Sequence, residues 1–301
     1  MAYLDHFDTS KLKIIAFDLD GTLLNASSKI TQRTSDALVR AIEAGYIPVA
    51  ATGRGFSTLP DDIFDVPGIE YVICANGAAV VELAKIPKDE NGKISAASDV
   101  PEEAIFYRNT MNEEDLAPIM DLICEEGLMR EVFFGLKAYA DKACLDNLEA
   151  HGVDNERRRN YIKRTRIPVD DTVQLIKDHY GELENINLDF KDLEKKQWYV
   201  DQLKSRSDLT IVNSQHFNIE IGSPTTSKAD ALRKLAEKMG LSLESIIAFG
   251  DSNNDIAMIK EAAISVVMAN GTEGALAEAD LVAPANTEDG VAVIIEELLA
   301  L

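Results

Sequence analysis

Basic residues are scarce in this 301-residue chain: 30 lysines and arginines stand against 52 aspartates and glutamates, a formal net charge of -22. Such acidity excludes a general affinity for nucleic acid or anionic membranes, because both reward positive surface. It still admits an anionic small molecule, since a metal and a few local cations reverse the field inside one cleft. Cysteine is scarce too. Cys74, Cys124 and Cys144 are odd in number and far apart, with no CxxC pair and no Cys/His cluster. That excludes a disulfide framework and a zinc site, and leaves reduced, mostly packed thiols as the expectation. The four histidines show no catalytic spacing. No apolar run reaches the ~20 residues needed to span a bilayer. The stretch MAYLDHFDTSKLK lacks the cationic-then-apolar order of a signal peptide. A cytoplasmic protein is expected, with its oligomeric state open.

What is present is ordinary for a globular chain, with 46% apolar and 27% charged residues and a length that suits two structural units. The first third alternates strands and helices. KIIAFD, ending at Asp18, reads as a buried strand closed by the turn residues Asp20 and Gly21. Thr31 is placed to cap a helix that carries Leu38 and Ile42 on one face and ends near Gly45. IPVAAT and YVICA read as further strands, ending at Thr52 and before Asn76-Gly77. The last eighty or so residues repeat this grammar with SKADALRKLAEKMG, IIAFG, NDIAMIKEA and ISVVM. Alternation of this kind predicts an α/β fold with a Rossmann-like, doubly wound parallel sheet. The middle of the chain mixes charged helices with alternating stretches such as EVFFGLKAYA, which predicts an inserted α+β domain on an antiparallel sheet. The expected division is a discontinuous core, 1–83 and 222–301, and an insert, 84–221.

Ligands in such sheets bind at the carboxyl ends of the strands. There this chain places Asp18-Leu-Asp20-Gly-Thr22, Thr52-Gly53-Arg54, Asn76-Gly77 and Gly250-Asp251-Ser-Asn-Asn254-Asp255. A lone D-x-D-G reads as a solvated turn; four such strand ends together do not. In an extended segment Asp18 and Asp20 share a face and address one point. Clustered carboxylates favour a hard divalent cation, with magnesium the best match. Asp251 and Asp255 stand i, i+4 at an expected helix start. An EF-hand loop fails, because Ile256 and Ala262 occupy the positions that need Gly and Glu. GSPTTSK fails as a P-loop, with Ser227 where Gly belongs and Ala229 where Ser or Thr belongs. A phosphoryl group suits what remains: a metal and a cation for its oxygens, small donors to hold it, and a carboxylate to attack in line. Lys228 is the cation at hand.

In order along the chain, FDLDGTL, ATGR, a lysine ahead of a helix and GDSNNDIAMI resemble the signature motifs of the haloacid dehalogenase superfamily. The tail VVMANGTEGALAEADLVAPANTEDGVA is similar to that of its Cof-type, subclass IIB phosphatases. The resemblance covers roughly residues 12–83 and 222–301. The stretch from Asp20 to Thr52 is too short for the helical cap of the other major subclass. The resemblance implies a magnesium-dependent phosphatase acting on small phosphorylated metabolites, sugar phosphates or phosphorylated cofactors. It implies that Asp18 forms an aspartyl-phosphate while Asp20 serves as general acid and base. Thr52, Gly53, Lys228 and Asn254 would hold the phosphate. Asp18, the backbone carbonyl of Asp20 and Asp251 would hold Mg2+, with Asp255 close by through water. Arg54 either contacts substrate or pairs with an acid near the hinge of the insert. Ala229 stands where the subfamily usually has Gly, a change of little effect because Ala is the better helix former. A phosphomutase or phosphotransferase shares the first half-reaction, and a non-enzymatic phosphoacceptor or regulator is the third alternative; the intact Asp20 argues against the last.

In the insert, Arg157, Arg158 and Arg159 with Lys163, Arg164 and Arg166 are expected to be solvated or balanced by acidic neighbours. His216 and Phe217 either line the cleft, pack in the core or lie exposed at an edge. Trp198 is expected in the core of the insert.

Overall fold

The computed structural model describes residues 3–301. The strands, in chain order, are β1 (Ile14–Phe17), β2 (Ile47–Ala51), β3 (Tyr71–Cys74), β4 (Ala79–Glu82), β5 (Ile105–Arg108), β6 (Met129–Phe134), β7 (Lys137–Asp141), β8 (Ile167–Val169), β9 (Leu183–Asp189), β10 (Thr210–Val212), β11 (Asn218–Gly222), β12 (Ile246–Gly250), β13 (Ile264–Met268) and β14 (Leu281–Ala283). They form two sheets, and the chain divides into two compact units. The first unit holds the chain to Gly53, Leu59–Tyr107 and Ser227–Leu301; the second holds Arg54–Thr58 and Arg108–Thr226.

The first unit is an α/β core around a sheet ordered β14-β13-β12-β1-β2-β3-β4-β5. From β14 to β3 the pairs are parallel; β4 runs antiparallel to β3. β1 and β12 are buried at every position, which is why they are apolar runs rather than alternating ones. From β1 the chain steps outward through β2 and β3; from β12 it steps the opposite way through β13 and β14. The order therefore reverses between β1 and β12, and a crevice opens at their carboxyl ends. Phe17 faces Phe249 across that pair, so Asp18 and Gly250 leave the sheet side by side.

Helix ends follow the local rules. Thr31 caps Gln32–Glu43, accepting from Thr34 N, and Gly45 beyond its end has φ +89°. That helix buries Thr34, Ala37, Leu38 and Ala41 along one stripe. Ser227 caps Lys228–Lys238 by accepting from Asp230 N.

The second unit is built on a sheet ordered β10-β11-β9-β6-β7-β8, antiparallel except for the parallel pair β7–β8. Helices cover its apolar face, where Ile176, Ile186, Leu188, Tyr199, Ile219 and Ile221 share one core.

Three stretches differ from the sequence expectation; one is 222–226, assigned there to the core, which packs with the second unit. Residues 84–107, assigned there to the insert, pack with the first unit, because β5 extends the first sheet beyond β4. Arg54–Thr58, assigned there to the core, packs with the second unit. Trp198 is a further correction: it is 51% exposed, and its neighbour Tyr199 is the buried aromatic. The helix Leu193–Leu203 turns Tyr199 and Leu203, four residues apart, to the core. Trp198 makes an edge contact with the Tyr199 ring, 5.3 Å between centroids.

Tyr199→Ala is expected to destabilise the protein by ~3–5 kcal/mol, and Trp198→Ala by no more than ~0.5 kcal/mol. Urea unfolding followed by circular dichroism checks both; equal effects would contradict the assigned burial.

Candidate active site

The centre of the crevice is one salt-bridged cluster. Asp18 follows β1, its N–H donating to Phe249 O at 3.0 Å. Lys228 is the first residue of its helix and has no exposed surface. Its Nζ donates to Asp18 Oδ1 at 2.6 Å and to Asp255 Oδ1 at 2.7 Å. Asp255 turns its other oxygen back on the chain, and Oδ2 accepts from Asp251 N and Ser252 N, both at 3.0 Å. Asp251 accepts from the Thr22 hydroxyl at 2.8 Å. Carboxylate oxygens of Asp18, Asp251 and Asp255 lie within 4.8 Å of one another.

Glycines make this crowding possible. Gly21 has φ +88°, and a Cβ there would lie 2.4 Å from Asp251 Oδ2. Gly77 has φ +107°, and a Cβ there would lie 2.1 Å from Ser227 O, just ahead of Lys228. Both positions require glycine on conformation and on space.

The charges are out of balance. Burial raises Asp18 well above the usual carboxylate range; Lys228 pulls it back, while Asp255, Asp251 and Asp20 push it up. Burial, then the charge of Asp255, moves Asp251 up to about 7, against the opposing pull of Thr22 and Lys228. Burial alone would lower Lys228, but Asp18 and Asp255 outweigh it and the ammonium is held charged. Three clustered carboxylates stand against one ammonium, which bonds two of them. An all-oxygen donor set with surplus negative charge fits a hard divalent cation, so the residues present match the magnesium that the motifs imply.

The other expected residues are placed as follows. Asn254 is buried and donates to Asn76 Oδ1 at 2.9 Å, and Ser252 donates to Asn254 Oδ1 at 2.7 Å. Thr52 is buried at the end of β2, and its carbonyl accepts from Asn76 N at 3.0 Å. Asp20 is half-buried in the turn after β1, and its carboxylate is not among the clustered oxygens; its backbone carbonyl was the atom expected to bind metal. Arg54 is not part of this cluster. It folds with the second unit, donating to Thr58 O at 2.9 Å with its guanidinium 4.6 Å above the Tyr161 ring.

Three residues went unassigned from sequence. Thr22 orients Asp251, and Asn76 orients Asn254 from a left-handed backbone, φ +56°. Asn270 donates to Gly21 O at 2.8 Å and fixes the turn that bears Asp20. For the first two the signal was their place at strand ends beside D-x-D-G and before Gly77; for Asn270 it was only its place in the subclass-like tail VVMANGTEG.

The second unit keeps its own polar network. Glu131, Asn187, Asp189, Asn218 and Glu220 are all buried. Arg166 grips Glu131 through two 2.8 Å hydrogen bonds, and Arg158 meets Asp189 at 2.5 Å. Those arginines of the basic run are thus balanced by acids. Phe217 lies under the Arg158 guanidinium, 4.0 Å from it, and His216 is exposed.

Residues 15–295 match the model of the haloacid dehalogenase-like hydrolases, and the chain belongs to that family. Phosphatase YwpJ of Bacillus subtilis is 28% identical, over 96% of this chain and 100% of its own. The 5-amino-6-(5-phospho-D-ribitylamino)uracil phosphatase YcsE of the same organism is 29% identical, over 93% of each chain. The solved structure of a haloacid dehalogenase-like hydrolase from B. subtilis gives a TM-score of 0.74 at 28% identity, over 95% of this chain and 99% of that one. The protein stands with the phosphoric monoester hydrolases of the family. No helix among the described residues is long and apolar enough to cross a membrane.

Because folding raises Asp251 from 3.8 to about 7, its share of stability is complete below the unfolded value and is lost as pH rises through about 7. Metal-free protein is therefore expected to lose about 1–3 kcal/mol of stability between pH 5.5 and 8 through this group. Magnesium should restore more stability at pH 8 than at pH 5.5. Urea unfolding with EDTA or with magnesium at both pH values checks this; a magnesium effect independent of pH would contradict it.

Proposed function

We propose that this hydrolase releases inorganic phosphate from small phosphorylated metabolites, sugar phosphates or phosphorylated cofactors, through an aspartyl-phosphate formed on Asp18. The carrying observation is the pairing of fully buried Lys228 with Asp18 and Asp255. Lys228 engages Asp18 Oδ1, which orients the carboxylate and leaves Oδ2 to attack phosphorus. In this reading Asp20 gives its proton to the departing alcohol oxygen as the phosphorus–oxygen bond breaks. It then takes a proton from the water that attacks the aspartyl-phosphate, and the Asp18 carboxylate is regenerated as phosphate leaves.

Thr52, Gly53, Lys228 and Asn254 would hold the phosphoryl oxygens. Asn76 fixes the Asn254 amide so that its direction is set before substrate arrives, the kind of preorganisation that favours charge developing in the transition state. Asp18, Asp251 and the Asp20 carbonyl would hold magnesium, with Asp255 near. When bound, that ion neutralises negative charge shared between the carboxylates and the phosphoryl group. Asp255 serves the site chiefly through Lys228 and the Asp251 backbone, since both of its oxygens are committed there. Arg54, which follows Thr52-Gly53 directly in the chain, is the remaining candidate for contact with the substrate. The relative named for a phosphorylated ribitylaminouracil supports a small phosphorylated metabolite as the substrate class.

Phosphate release from a panel of phosphorylated metabolites with magnesium tests this directly. Asp18→Asn should lower kcat by at least about 10³-fold, and Asp20→Asn by about 10²–10⁴-fold, with folding intact by circular dichroism. Full activity in Asp18→Asn would sink the mechanism.

A further inference from the structure

Glu184 is a fully buried carboxyl that the chemistry above does not use. Strand alternation alone would place it on the same side as Ile186 and Leu188, the apolar face of the second sheet. The ladder breaks at this point. Phe133 of β6 faces Asn185 and Phe134 faces Leu183, so Glu184 is an extra residue with no partner across the pair. Such a bulge re-aims one side chain. Here the carboxylate meets the turn between β6 and β7, accepting from Leu136 N at 3.0 Å and 3.2 Å.

That turn is held in an unfavourable conformation. Gly135 and Leu136 both have positive φ, +57° and +64°. Glycine adopts this freely, but a leucine stays there only when its surroundings hold it. The carbonyl of the same leucine accepts from Ser57 N at 3.0 Å. Gly55 approaches so closely that a Cβ there would lie 3.4 Å from Leu136 O and 3.2 Å from the Phe133 ring. Within the segment Arg54–Thr58, the Thr58 hydroxyl donates to Gly55 O at 2.9 Å, and Arg54 donates to Thr58 O at 2.9 Å. One residue therefore links Glu184 at its N–H to this segment at its carbonyl. The segment begins directly after Thr52-Gly53.

We propose that Glu184 is a positioning residue: by clasping the Leu136 turn it fixes the Arg54–Thr58 segment and, through it, the guanidinium of Arg54. The effect on catalysis rests on the phosphatase reading; the clasp itself does not. The partner of the carboxylate is an N–H rather than a cation, so its charge is weakly compensated. Burial pushes Glu184 up to about 7, against the opposing pull of Leu136 N–H and of Arg108. The groups facing it are Arg108 at the end of β5 and Tyr139 of β7, whose hydroxyl is raised by burial and then by Glu184. An ionised carboxylate is the stronger acceptor, so the clasp tightens as pH rises through about 7. Stability runs the opposite way: the contribution of the protonated group is complete below 4.5 and is lost as pH rises through about 7.

The test uses the full chain with 15N-leucine, following the Leu136 amide from pH 5.5 to 8.5 in wild type and Glu184→Gln. In parallel, kcat and KM for p-nitrophenyl phosphate are measured with magnesium, adding Glu184→Leu. The Leu136 amide should titrate with a midpoint near 7 in wild type and stay flat in Glu184→Gln. Glu184→Leu, which removes the acceptor, should raise KM about fivefold with kcat changed less than about twofold. Absence of the wild-type titration, or its persistence in Glu184→Gln, overturns the clasp. An unchanged KM in folded Glu184→Leu overturns the positioning role. If Glu184→Leu does not fold, a KM ratio between Glu184→Gln and wild type that is constant across this pH range overturns the role instead. A wild type that hydrolyses no phosphate ester removes the phosphatase reading, while the amide titration still decides the clasp.

Discussion

The arrangement of the first unit depends on where the Lys228 ammonium goes. A lysine without exposed surface, at the first position of a helix, is doubly disfavoured: burial strips its water, and the helix start is itself electropositive. Asp18 and Asp255 offset both effects by direct contact. The dependence is mutual, because each carboxylate would also be costly to bury alone. Gly21 and Gly77 let backbone and carboxylates approach closely enough for the lysine to reach both. The reversal of strand order between β1 and β12 supplies the two strand ends that carry Asp18 and Asp251.

The centre of the site was legible because its residues are tied to strand ends. A strand buried on both faces announces itself as an apolar run, as IIAF and IIAFG do, and whatever polar residue follows marks the crevice. What could not be read is how each side chain is spent. Spacing put Asp251 and Asp255 on one helical face, yet Asn253–Asp255 forms a tight 3-10 turn and Asp255 folds back on the Asp251 N–H. Trp198 and Tyr199 show the same limit. Adjacent aromatics on a charged helix are indistinguishable by composition, and a rotation of one position decides which is buried.

Boundaries between the units were the least legible feature, for a physical reason. β4 and β5 lengthen the first sheet after its parallel pattern has ended, so the change in texture precedes the change in packing. The basic run of the second unit, prominent in sequence, is half spent inside it, while Arg157, Lys163 and Arg164 are exposed. Arg158 and Arg166 are matched to buried acids, and Arg159 donates to the carbonyls of Val153 and Asp154.

The pentapeptide Arg54–Thr58 bears on how such proteins diversify. It is encoded within the core sequence, in the stretch between β2 and β3, yet its packing partners lie in the insert. Recombination that exchanged inserts at the obvious junctions would therefore leave this short segment facing a foreign partner. The insert and its pentapeptide form one packing unit, so a chimaera that transplants the former should carry the latter with it.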